Sequence, residues 1–177
     1  FVPIPVVFSD PNIGVGFGLM PVVLLHPERR IEWLFAPQVD YNETEGAALT
    51  SRVYWFPTTR RELVIYNSES TSVQREHSAR FRGRDFPLPG TDLYARGYHA
   101  VDGTKRFFGF GSETLEDDET DYRLVETGAE GDFGYWFWDV LRVSGTLRYR
   151  EGEDGRGIID DVPDTQDVFP TLNGLGR

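Results

Sequence analysis

The chain has 177 residues, a formal net charge of −11 and no cysteine. That length suffices for one domain with a core, the missing cysteines exclude disulfides and thiolate metal sites, and Arg29-Arg30 and Arg60-Arg61 are too few basic pairs for the phosphate-neutralising surface of a nucleic-acid binder. No apolar run approaches the ~18 residues of a membrane-spanning helix; the nearest, GVGFGLMPVVLL from Gly14, is broken by three glycines and a proline.

Aromatic residues make up 14% of the chain and glycine is plentiful, a composition that favours strands. The stretch from Gly14 to Leu25 is predicted as the first strand, with Val15, Phe17 and Leu19 on its apolar face. Its Gly14, Gly16 and Gly18 imitate part of a dinucleotide fingerprint, but no helix follows. They read instead as strand positions where a large neighbour or another backbone needs room. In 31–41, Ile31, Trp33, Phe35, Pro37, Val39 and Tyr41 alternate with Glu32, Leu34, Ala36, Gln38 and Asp40. So long a period of two predicts a half-buried strand.

The same alternation opposes Leu49, Val53 and Trp55 to Thr50, Arg52 and Tyr54, then His77, Ala79 and Phe81 to Glu76, Ser78 and Arg80. It returns where Leu141, Val143, Leu147 and Tyr149 oppose Arg142, Ser144, Arg148 and Arg150. Weaker strands are predicted over 61–69, 91–101 and 121–130. Turn-like segments such as YNETEG, FPTTRR and RDFPLPGTD separate them, with two long acidic connections expected at 102–120 and 151–172. The whole of 1–177 reads as a single all-β domain, an antiparallel up-and-down meander of roughly eight strands.

Such alternation suits either a soluble sandwich or lipocalin-like carrier, apolar inside, or a transmembrane barrel, apolar outside. Three features favour the barrel. Several patterns run for about ten residues, against ~5–6 for soluble strands. Bulky aromatics recur near the ends of the apolar faces, as interfacial girdles require: Trp33, Tyr41, Trp55, Phe81, Phe137 and Tyr149. Arginines sit mid-strand on the polar faces. On this reading Trp33, Phe35, Val39, Val53, Trp55, Leu141, Val143 and Leu147 face lipid, and Arg52, Arg80, Arg142 and Arg148 face a polar lumen.

Two stretches carry a family resemblance. IPVVFSDPNIGVGFGLMPVV resembles the first strand of bacterial surface-antigen barrels, the BamA- and TamA-like outer-membrane superfamily. RFFGFGSETLEDDETDY is similar to a segment of the same proteins, in which an aromatic-glycine piece precedes an acidic stretch and a tyrosine opening the next strand. YWFPTTRRELVIYNSES resembles their early hairpins. The resemblance implies a sixteen-stranded barrel in a bacterial outer membrane, of which these residues are the N-terminal half; a closed eight-stranded barrel is the rival. It further implies help in inserting or translocating other outer-membrane proteins, with lipid and such client proteins as partners. Gly14, Gly16 and Gly18 would then form an imperfectly paired lateral edge that templates an incoming strand. A passive pore is the alternative.

No cofactor or enzymatic activity is implied. The carboxylates Glu113, Glu116, Asp117, Asp118, Glu119 and Asp121 lack the spacing of a calcium loop. His26, His77 and His99 form no zinc motif, and Ser112 lacks the flanking glycine of a nucleophile elbow. Solvated loops are the plain reading.

Overall fold

The computed structural model describes residues 1–11, 13–26, 30–72, 74–111, 118–138, 140–159 and 162–170. Its strands are β1 (Val2–Asp10), β2 (Gly14–Leu25), β3 (Trp33–Asn42), β4 (Gly46–Thr58), β5 (Arg61–Ser70), β6 (Arg75–Arg84), β7 (Thr91–Phe107), β8 (Thr120–Phe137) and β9 (Leu141–Arg156). All nine pair in chain order in one antiparallel sheet, and the only described helix is the single turn α1 (Thr165–Val168). The all-β meander is therefore what forms. The sheet is open, with β1 and β9 as its edges, so the closed eight-stranded barrel is not.

The first strand lies earlier than its pattern suggested. VPIPVVFSD is apolar on both sides and punctuated by Pro3 and Pro5, which hides its period. As an edge strand it accommodates residues that cannot donate to a ladder. β2 therefore pairs on both flanks, with β1 (Val7↔Phe17) and with β3 (Phe17↔Tyr41). Gly14, Gly16 and Gly18 lie inside the sheet, and the free edge belongs to β1.

The long connections are also shorter than expected. β7 continues through Asp102–Phe107 and β9 through Glu151–Arg156, both paired with β8. These extensions have little apolar character on either side, so periodicity could not reveal them. A bulge between Asp102 and Lys105 lets the β7 extension bend. Gly109 and Gly111, both at positive φ, then turn the chain out of the sheet.

One ladder has a gap. The β2–β3 register holds from Phe17↔Tyr41 to Leu25↔Trp33 but is interrupted between Leu19↔Val39 and Val23↔Phe35. There Pro21 comes opposite Pro37, and neither residue has an N–H to contribute.

After β9 the chain returns to the start of β8. The Asp121 amide donates to Pro163 O at 3.0 Å and its carboxylate accepts from Ile159 N at 2.7 Å. Thr165, buried, donates its hydroxyl to Asp121 O at 2.7 Å. Among the described residues no second layer covers the sheet, and the buried apolar ones are Ala36, Ala48 and Val64.

Candidate functional site

With only one layer, the sheet's two faces are the surfaces available for function. Register links Trp33 to Trp55, Leu63, Phe81, Ala95, Gly131 and Leu147 in successive strands. Phe35 and Val53 lie opposite one another, as do Val39 and Leu49, and Leu141, Val143 and Leu147 share this face by the same pairing. All eight apolar candidates thus fall on one side, where the Trp33 and Trp55 rings stack with centroids 5.5 Å apart. Arg52, Arg80, Arg142 and Arg148 fall on the other side.

Burial is inverted relative to a soluble domain. Val39 and Leu49 are 58% and 60% exposed, whereas their neighbours Asp40 and Thr50 on the opposite face are 8% and 3% exposed. Leu147 is 80% exposed. A single sheet shields one side only by curling towards it, so the polar face is the concave one.

The apolar face also has a direction. The nine-residue stretch Trp33–Tyr41 of β3 is matched on β9 by Leu141–Tyr149, yet Trp33 is in register with Leu147. The band therefore slides by six residues over six strand steps. One residue of ~3.3 Å for each interstrand step of ~4.8 Å inclines it by about 35°, the tilt with which sheets close into barrels. Along each of these strands its length is about 27 Å. The band narrows at β5–β7, where Asn67, His77 and His99 form a polar row, His77 Nδ1 lying 3.2 Å from Asn67 and His99 Nδ1 2.9 Å from Thr127.

On the polar face β7–β9 carry a connected lattice. Tyr94 donates to Glu130 at 2.7 Å and Tyr98 to Glu126 at 2.5 Å. Arg148 pairs with Glu130 at 3.3 Å, Arg150 with Glu126 at 2.8 Å, and Arg142 with both Asp132 and Asp92. Gly128 makes room for the Tyr98 ring, which a Cβ there would meet at 2.5 Å. In β2, likewise, a Cβ on Gly16 would strike the Phe8 ring and one on Gly18 the Val39 carbonyl. Those glycines serve close packing.

Outside the strands, the β3–β4 turn holds a buried carboxyl. Asn42 Oδ1 accepts from the Glu45 amide at 2.7 Å, and Asn42 Nδ2 donates to Glu45 Oε2 at 3.3 Å. Glu45 Oε1 is buried and has no hydrogen-bond partner among the described residues. Burial, reinforced by nearby Asp102, Asp40 and Asp10, raises this carboxyl above its ordinary pKa, against the lowering effect of Asn42.

Of the acidic run, Glu113, Glu116 and Asp117 lie outside the described residues. Glu119 pairs with Arg106, and Asp121 is engaged by the returning C-terminal segment. Among the described residues no group of three His, Asp or Glu could hold a metal ion. No described helix is long and apolar enough to cross a membrane, which says nothing of strands.

No known family, curated protein or solved structure matches the chain. The resemblance to surface-antigen barrels accordingly stands on the quoted sequence stretches alone. Arg82 and Arg96, which join the polar face, were not singled out from sequence, because their role arises from cross-strand register.

Proposed function

We propose that the chain forms part of a transmembrane β-barrel in a bacterial outer membrane, its apolar face against lipid hydrocarbon and its polar face lining a lumen. The observation that carries this reading is the inverted burial: large apolar side chains lie open on the convex side while Asp40, Asn42 and Thr50 are shielded on the other. In water, an uncovered apolar surface spanning so many strands would be a strong aggregation liability; in hydrocarbon it is the stable arrangement. The stretches of about nine residues and the inclined band agree with the dimensions of such strands. Further strands pairing at β1 and β9 would close the barrel.

Within that setting, the motif resemblance supports a part in inserting or translocating other outer-membrane proteins. The free β1 edge would template an incoming strand through backbone hydrogen bonds. Pro3 and Pro5 remove two donors from β1, which keeps such pairing reversible.

Fractionation of cells expressing the full-length protein tests the setting, with recovery in outer membranes and extraction only by detergent as the expected result. Recovery in the soluble phase without detergent would remove the membrane reading. Photocrosslinkers along 2–9 test the activity; failure to capture any nascent barrel would leave the membrane reading intact and discard the client role. A passive pore is the second reading, favoured by the polar lattice. It predicts conductance in planar bilayers whose ion selectivity changes when Arg142 and Arg148 are replaced.

A further inference from the structure

On the concave face Arg80 and Arg96 lie directly opposite one another across β6 and β7. Like charges in that position repel unless something stands between them. Their carboxylate partners lie off to the sides: Glu62 is 2.9 Å from Arg80 Nη2, and Glu76 is 3.7 Å from Arg96 Nη2. Among the described residues Arg80 Nε, buried, has no hydrogen-bond partner. A third guanidinium, Arg52, stacks over Tyr66 at 5.1 Å and donates to the neutral Gln38 at 2.9 Å. Among the described residues it has no carboxylate partner.

These arginines line one cavity of about 330 Å³, together with Val64, Tyr54, Tyr66, Ser78 and Tyr94, whose hydroxyl donates to Glu130 at 2.7 Å. The other three hydroxyls, those of Tyr54, Tyr66 and Ser78, have no hydrogen-bond partner among the described residues. On β9 Arg142, Arg148 and Arg150 each have a carboxylate; here Arg80 and Arg96 do as well, the latter at a longer 3.7 Å, and Arg52 is the one without. The donors this cavity leaves unused are thus those of Arg52 beyond Gln38, Arg80 Nε and the three hydroxyls.

We propose that this cavity binds a phosphate group, most suitably a phosphomonoester, held between Arg80 and Arg96 with Arg52 and the hydroxyls completing the shell. Guanidinium forks match the paired oxygens of a phosphate. An anion between Arg80 and Arg96 also offsets their repulsion. The cavity is larger than a single water site and opens onto the concave face, which leaves room for the group that the phosphate esterifies. The site faces the polar side whether or not the convex face meets lipid, so it does not depend on the membrane reading.

The test is a titration of the purified full-length protein with inorganic phosphate and, separately, with short-chain phosphatidic acid, each against sodium chloride at equal ionic strength. Thermal midpoint and isothermal heat are the readouts. Saturable binding is expected, weakened about tenfold or more in Arg52→Gln, the cost of losing one charge-assisted contact, and unchanged in Arg148→Gln. Arg52→Gln leaves no carboxylate unpaired, so folding should survive; Arg96→Gln is the second variant. Binding confined to phosphatidic acid, and lost in both variants, would assign the site to a lipid headgroup; binding of inorganic phosphate with the same losses, to a soluble ligand. No saturable response beyond that to chloride, or full affinity retained in both variants, overturns the proposal.

Discussion

The first four strands and the last three join their neighbours by different means. β1–β4 are 9 to 13 residues long, and apolar side chains occupy much of both faces: Val6, Met20, Val22, Leu34 and Ala36 line a groove on the concave side, while Phe17, Val39 and Leu49 stand on the convex side. β7–β9 are 16 to 18 residues long, and tyrosines, arginines and carboxylates link them across the concave face. Non-directional apolar contact tolerates the gap at Pro21 and Pro37. The longer strands outrun the apolar band, and beyond it hydrogen bonds and ion pairs must keep their register. The N-terminal end of the sheet is thus the softer one.

The largest expected effect tests what the two ends share. If the convex face meets hydrocarbon, Val39→Arg in β3 and Val143→Arg in β9 each cost ~2–4 kcal/mol of folding stability in lipid, whereas Ser144→Arg, one residue away on the concave face, costs far less. Equal tolerance of all three in reconstituted vesicles would remove the lipid contact.

The next effect tests what separates the ends. Pro21→Val and Pro37→Val each return one N–H donor to the β2–β3 ladder, and the double variant returns two. A backbone hydrogen bond contributes ~0.5–1.5 kcal/mol net, but losing proline's stiffness offsets ~0.4–1 kcal/mol of it, so global stability should barely move. Local amide exchange around residues 20–23 and 35–38 should slow by about tenfold in the double variant. Unchanged exchange would trace the gap to something other than the prolines.

Much of this contrast was legible in the sequence, but unevenly. The Trp33–Tyr41 and Leu141–Tyr149 stretches were clear because one apolar face and one polar face leave a period of two. β1 was hidden because both its faces are apolar and Pro3 and Pro5 punctuate it; the SDPN turn between two apolar runs was the available signal. The ends of β7 and β9 were hidden for the opposite reason, having little apolar residue to alternate. The placement of Gly14, Gly16 and Gly18 at an edge followed from missing β1. Arg52 and Arg80 were visible as mid-strand charges, but the opposition of Arg80 to Arg96 is a fact of register, which no single strand records.

A smaller effect concerns the turn joining β3 to β4. Because the folded state holds the Glu45 carboxyl above its ordinary pKa, this group favours folding below the unfolded carboxylate range. That contribution is lost as pH rises through the raised value. Glu45→Gln keeps an acceptor for Asn42 and removes the charge. It should therefore stabilise the protein at pH 7 by removing a buried charge, with the advantage vanishing below about pH 4. A denaturation series across that range reads it, and a constant difference at every pH would show that the carboxyl is not responsible.

The smallest effect is that of salt. Arg148 and Arg150 are largely exposed where they meet Glu130 and Glu126, so mobile ions screen those pairs. The polar lattice of β7–β9 should loosen slightly between 0.05 and 0.5 M sodium chloride, by roughly twofold in amide exchange. The β1–β4 end, resting on apolar contact, should not respond in that direction, since salt does not weaken apolar burial. Equal loosening at both ends would mean that the sheet is held by one mechanism throughout, and the division between a soft apolar edge and a charged, register-fixed edge would have to be given up.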